Sequence, residues 1–148
     1  MLLLNTDYRV LYDSVLSKIK DYDFFQLTQS EVNSILFDYV RPAIVRFYSC
    51  KQDLRKRDDS IQCFEIELTD DEIEILSDFM VVEYLDSNYI RVPSALKQIL
   101  SNKDFNTYSP ANLLEKVTSV RKQYLDEARQ LMIDYSYKNS TLFDTGRK

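Results

Sequence analysis

Thr69-Asp-Asp-Glu-Ile-Glu-Ile-Leu-Ser-Asp-Phe-Met-Val-Val-Glu-Tyr-Leu85 is the stretch that decides the fold. It opens with a capping box, in which the Thr69 hydroxyl and the Glu72 carboxylate satisfy each other's backbone amides. Asp70, Asp71 and Glu72 fill the first turn, where the helix dipole favours negative charge. Ile73, Leu76, Phe79, Met80, Glu83 and Tyr84 follow at three- and four-residue steps, and Ile75, Val82 and Leu85 widen the apolar arc. A helix apolar on most sides belongs at the centre of a helical body, covered by other helices. The pattern ends near Asp86-Ser-Asn88.

Upstream, Tyr8, Leu11, Tyr12, Val15, Leu16 and Ile19 form one stripe and predict a helix from Asp7 to Lys20, broken by Asp21-Tyr-Asp23. Thr28-Gln-Ser-Glu31 is a second capping box. From there Val32, Ile35, Leu36, Tyr39, Ala43, Ile44 and Phe47 keep one face, with Pro42 interrupting either a kinked helix or a junction of two. Cys50 to Ser60 is dense in both charges and predicts an exposed connection. Phe64-Glu-Ile-Glu-Leu68 alternates apolar and acidic residues as a short strand would.

Downstream, Val92-Pro93 marks a break and Ser94 can cap a short helix carrying Leu96, Ile99 and Leu100. Ser109-Pro110 sets a cap and a first-turn proline in their preferred order. The last helix is predicted from Pro110 to about Tyr135 through Leu113, Leu114, Val117, Val120, Tyr124, Ala128, Leu131 and Met132. The fold class is therefore all-α: an irregular bundle of four to five helices over residues 1–135, with one short extended segment or hairpin before the central helix. Residues 136–148 lose the helical spacing and are expected to form an extended C-terminal docking tail.

The 148 residues include no His, no Trp and a single glycine, Gly146. Without internal glycine neither a P-loop nor a G-x-G-x-x-G turn can be built. Without histidine there is no Ser-His-Asp triad, no Cys-His dyad and no imidazole metal ligand. A net charge of −5 opposes general binding to nucleic acid or anionic membrane. No apolar run approaches the 18 residues of a membrane span, and Cys50 and Cys63 fit reduced thiols in a soluble intracellular protein. The expectation is no enzyme, no cofactor, no metal and no membrane.

Candidate chemistry reads the same way. The carboxylates Asp21, Asp23, Asp70, Asp71 and Glu72 are better explained by caps and helix ends than by acid–base catalysis, and Glu65 and Glu67 as the wet face of a strand. Cys50 lacks a His base and reads as a buried or half-buried thiol. Lys51, Arg55, Lys56 and Arg57 are the one basic cluster, interrupted by Asp53, Asp58 and Asp59, and read as a solvated loop able to touch an acidic partner. Eleven Tyr and eight Phe suit protein–protein surfaces. Tyr12, Tyr39, Tyr84 and Tyr124 lie on core stripes, whereas Tyr89, Tyr108 and Tyr137 fall in predicted loops or the tail. Tyr137, Leu142 and Phe143 are spaced along a segment that a neighbour's groove or sheet edge can order.

Leu68-Thr-Asp-Asp-Glu-Ile-Glu-Ile-Leu76 and Phe79-Met-Val-Val-Glu-Tyr-Leu85, with Leu96-Lys-Gln-Ile-Leu100 continuing to Phe105 and with Tyr108-Ser-Pro-Ala-Asn112, resemble the head-to-tail connector (neck adaptor, or head-completion) proteins of tailed bacteriophages that infect Gram-positive bacteria. The similarity is clearest over residues 68–124, and Asp21-Tyr-Asp-Phe24 adds to it. The resemblance implies a structural virion protein forming a homo-oligomeric ring, typically twelve-fold, on the portal. Such a ring receives a downstream neck or tail protein on its other side and retains and passes DNA. By the same resemblance Tyr137, Leu142 and Phe143 would dock on the portal, with Arg147 and Lys148 as charge partners. The loop carrying Lys51, Arg55, Lys56 and Arg57 would line the channel, in transient contact with passing DNA, or meet the adjacent subunit. A tail-side stopper or terminator, or a regulatory protein-binding module outside the virion, are the alternatives.

Overall fold

Thr69 caps a helix, as its capping box predicts. In a computed structural model of the chain, which describes residues 5–19, 27–90 and 110–138, that helix runs over Asp70–Leu85 (α3) and both halves of the box are formed. Before it come strand β1 (Thr6–Asp7), helix α1 (Tyr8–Lys18), helix α2 (Gln29–Arg46) and strands β2 (Arg57–Asp58) and β3 (Cys63–Phe64). After it come a π-helical turn (Asp86–Ile90) and helix α4 (Pro110–Lys138). The protein is mostly helical. α3 is packed by α1, α2 and α4 together, and every residue from Ile75 to Asp86 is buried. The expected short helix at residues 94–100 and the Asp21-Tyr-Asp23 break lie outside the described residues.

α1 ends two residues earlier than its stripe suggests, with Ile19 as C-cap. α2 begins with the Thr28–Glu31 capping box and resolves the alternatives at Pro42: it is one continuous helix with the proline inside it. Proline removes the amide that would bond the Asp38 carbonyl and crowds the preceding turn. Here Val40 and Ala43, buried on either side of it, hold the helix against the core through the defect. Pro42→Ala is therefore expected to raise stability by about 1–3 kcal/mol, read as a shift in the denaturant midpoint. An unchanged or lowered midpoint would mean that the proline sits there without strain.

The body is not purely α. β1, β3 and β2 make a small antiparallel sheet in that order, with Thr6 opposite Phe64 and Arg57 also opposite Phe64. The strand expected over Phe64–Leu68 is confined to Cys63–Phe64. Past it, Glu65 N still donates to Lys56 O at 2.8 Å, but Leu68 N donates to the Thr6 hydroxyl at 2.9 Å instead of to a strand. A side chain thus replaces the ladder. Tyr8 seals the sheet to the helices, its ring 4.9 Å from Phe64 and 6.3 Å from Phe37.

α3 does not stop at Asp86 but widens into the π-helical turn, where Asn88 donates to the Tyr84 carbonyl at 2.9 Å and the Tyr39 hydroxyl at 3.0 Å. α4 starts at Pro110 as predicted and runs past Tyr135 to Lys138. Its last turn is tied across to the first turn of α3, with Lys138 Nζ 3.2 Å from Asp71 Oδ2. Ser136, Tyr137 and Lys138 are thus helical, not tail. Leu142, Phe143, Arg147 and Lys148 lie outside the described residues. No helix among the described residues is long and apolar enough to cross a membrane.

Candidate functional site

Among the described residues, three buried polar clusters surround α3. Glu72, nearly inaccessible, accepts from Thr69 N at 2.9 Å, Gln52 Nε2 at 2.6 Å and the Tyr135 hydroxyl at 2.7 Å, with the Cys50 thiol at 3.5 Å. Burial pushes its pKa up, but these hydrogen bonds together outweigh burial and hold it below the usual glutamate range. Further along, Lys18 pairs with Glu74 and sits 3.3 Å from the fully buried Asp78. At the C-terminal end, Arg46 bonds Glu83 at 2.7 Å, and Asp86 is held by Arg121 and approached by Arg46 at 3.7 Å. Lys18 comes from α1, Arg46 from α2, and Arg121 and Tyr135 from α4, so these charges fasten all three neighbouring helices to α3 and are spent on the fold.

The expected candidates fall into this scheme. Asp70 and Asp71 are first-turn residues, as read, whereas Glu72 is both cap and buried hub. The Cys50 thiol is pushed up to about 11, first by burial and also by the neighbouring Glu72, so it stays protonated at neutral pH. Both cysteines are free. Among the described residues no group of acidic or thiol side chains is arranged to hold a metal. Tyr12 and Tyr84 are buried, while Tyr39 and Tyr124 are half-buried.

The four cations of the 51–57 segment do not act as one patch. Arg55 lies against Asp53 at 3.0 Å in full exposure. Arg57 turns inward, donating to the Leu54 carbonyl at 3.0 Å and lying 3.4 Å from Asp59. Lys51 and Lys56 are exposed, and the Lys51 amide donates to the Tyr135 hydroxyl at 2.8 Å. Leu54, inside this polar run, is buried and anchors it to the core.

What remains for recognition lies on the surface. A groove of about 760 Å³ opens between the C-terminal ends of α2 and α4, floored by Phe79, Leu125 and Met132. Its rim carries Tyr48, 84% exposed, Tyr137, 61%, and Ile133, 50%, with Arg46 and Arg129 beside them. Among the described residues no carboxylate lines it. Arg46 is already bonded to Glu83, so the positive charge this groove offers, on a chain of net charge −5, is that of Arg129. Of these residues only Tyr137 stands out in the sequence. Tyr48 directly follows the last stripe residue of α2, and Ile133 sits one step off the α4 stripe; an apolar residue out of register was the available signal. The second surface feature is the turn between β2 and β3, where Ile61 stands exposed among Asp58, Asp59 and Ser60.

No protein family, curated protein or solved structure matches the chain.

Proposed function

We propose that this chain is a structural, non-enzymatic subunit of a tailed-bacteriophage neck: a head-to-tail connector that closes into a homo-oligomeric ring on the portal and bridges capsid to tail. The observation that carries the reading is the aromatic, arginine-flanked groove, which ends at the last turn of α4, where residues 139–148 begin. A body whose buried acids are turned inward to the helices around them, and which exposes two tyrosines and an isoleucine at a rim, has the make-up of an assembly subunit. The kind of assembly is taken from the resemblance read over residues 68–124 of the sequence. Tyr137 docks from the helix end, with Leu142, Phe143, Arg147 and Lys148 following it onto the portal. The segment with Lys51, Arg55, Lys56 and Arg57 faces the channel or the next subunit.

Two measurements test this. Purified particles are expected to contain the chain at ring stoichiometry between portal and tail. Deleting residues 139–148, which keeps the Lys138–Asp71 pair, should leave helical circular dichroism unchanged and abolish joining to portal-bearing capsids. Absence from particles would turn the reading toward a regulatory module. A position next to the tail tube would make it a tail-side component, and normal head completion by the truncated chain would remove the docking role.

A further inference from the structure

The turn between β2 and β3 is held from inside the core. Tyr8 and Tyr12, both fully buried, donate their hydroxyls to Asp59 Oδ1 at 2.6 Å and Gln62 Oε1 at 2.9 Å. The Tyr8 amide donates to the Gln62 carbonyl at 2.9 Å. Together they keep Gln62 at φ 51°, left-handed backbone that a non-glycine residue enters at a cost. Such residues persist where the surroundings over-determine them, and they concentrate at functional positions. The residue this fixed turn presents is Ile61, 66% exposed, flanked by the carboxylates of Asp58 and Asp59. Two core tyrosines are thus committed to a tip whose apolar side chain this chain does not bury.

The groove has the complementary character. It is apolar at its floor and aromatic at its rim, and among the described residues it has no carboxylate and Arg129 has no carboxylate partner. None of its lining residues comes from the turn. We infer that Ile61 of one copy seats in the groove of a second copy, against Ile133 and Tyr48, with Asp58 facing Arg129 and Asp59 kept in place behind it by Tyr8 and Arg57. Charge complementarity and the pre-set turn select this occupant: an ordered knob enters without the entropy loss that a flexible segment pays. Turn and groove are different surfaces, so the contact is heterologous and repeats around a ring or along a filament. The inference rests on the homo-oligomeric reading above and names its interface.

The test uses the full chain in sedimentation velocity over a wide concentration range, with Ile61→Glu and Ile133→Glu as variants. Both positions are exposed, so circular dichroism is expected to be native for each. Wild type should associate with increasing concentration. Each variant alone should sediment as a monomer, its association weakened roughly tenfold or more. An equimolar mixture should give a one-to-one dimer and nothing larger, because it contains one intact turn and one intact groove. A monomeric wild type, an Ile61→Glu chain that associates normally, or a mixture that stays monomeric would each overturn the inference. Loss of association in Ile133→Glu alone would mean that another segment, such as residues 139–148, fills the groove, and would overturn it too. A chain that passes this test yet is missing from particles would sink the connector reading and leave the interface standing.

Discussion

Glu72→Ala is expected to lower stability by about 3–5 kcal/mol, the largest effect of any single polar substitution in this protein. The truncation removes more than a cap. It strips the acceptor from the Tyr135 hydroxyl, the Gln52 amide and the Thr69 amide at once, and it leaves a void where a nearly inaccessible side chain stood. Each buried donor so orphaned costs about 1–3 kcal/mol. Glu72→Gln, which keeps the volume and one acceptor oxygen, should lose about half as much. Tyr135→Phe should lose about 1–2 kcal/mol, since Lys51 N also loses its acceptor. The double variant should fall short of the sum, because the two side chains share one bond. The pH dependence has a definite sign. The folded-state pKa of Glu72 is depressed, so its contribution is present above the ordinary glutamate pKa and is lost as pH falls through the folded value. Wild type and Glu72→Gln should therefore converge in acid. Equal denaturant midpoints for wild type and Glu72→Ala near neutrality would show that the hub holds nothing together.

How much of this was legible depends on the range over which a residue acts. Both capping boxes formed where Thr28 and Thr69 announced them, because a cap is closed by residues three positions apart. The apolar stripes likewise became the buried faces, Leu11, Leu36, Leu76 and Ala128 among them. The polar interior was not legible. Asp78 looks like an ordinary break in an apolar arc, Glu83 falls on the helical step with nothing nearby to pair it, and Asp86 marks only where the pattern ends. They are buried because Lys18, Arg46 and Arg121 reach them from three other helices, over separations that no local period encodes. The sheet was half legible: the alternation at Phe64 signalled extended backbone, but β1 is two residues long and pairs with β3 across the whole of α1 and α2. Of the candidate site, Tyr137 was visible as an aromatic off the core stripe. Ile61 was not singled out, since one isoleucine in a charged run carries no period, and its significance rests on two tyrosines some fifty residues away.

Asp78→Asn should make the protein more stable at pH 8 and clearly less so at pH 5. Asp78 is fully buried, and although Lys18 Nζ lies 3.3 Å from Oδ1, neither carboxylate oxygen accepts a hydrogen bond. A buried charge with Coulomb compensation alone is poorly held. Burial is the main force on it, Glu127 and Glu74 push the same way and Lys18 opposes, so its pKa is pushed up to about 7. A folded pKa above the unfolded one means that the native state binds the proton more tightly between about pH 4 and 7. Stability must then fall as pH rises through that window, by up to about 4 kcal/mol, and level off above it. The chain contains no histidine, so no side chain with an ordinary pKa titrates between pH 5 and 8 to obscure the effect. Denaturant midpoints for the wild type should decline across that range while those for Asp78→Asn stay flat. Lys18→Met should do the reverse of Asp78→Asn: with its cation gone, the fall in stability from pH 5 to 8 should be steeper than in the wild type. A wild-type profile that is level from pH 5 to 8, or an Asn variant weaker than wild type at pH 8, would mean that Lys18 alone keeps the buried aspartate comfortably ionised.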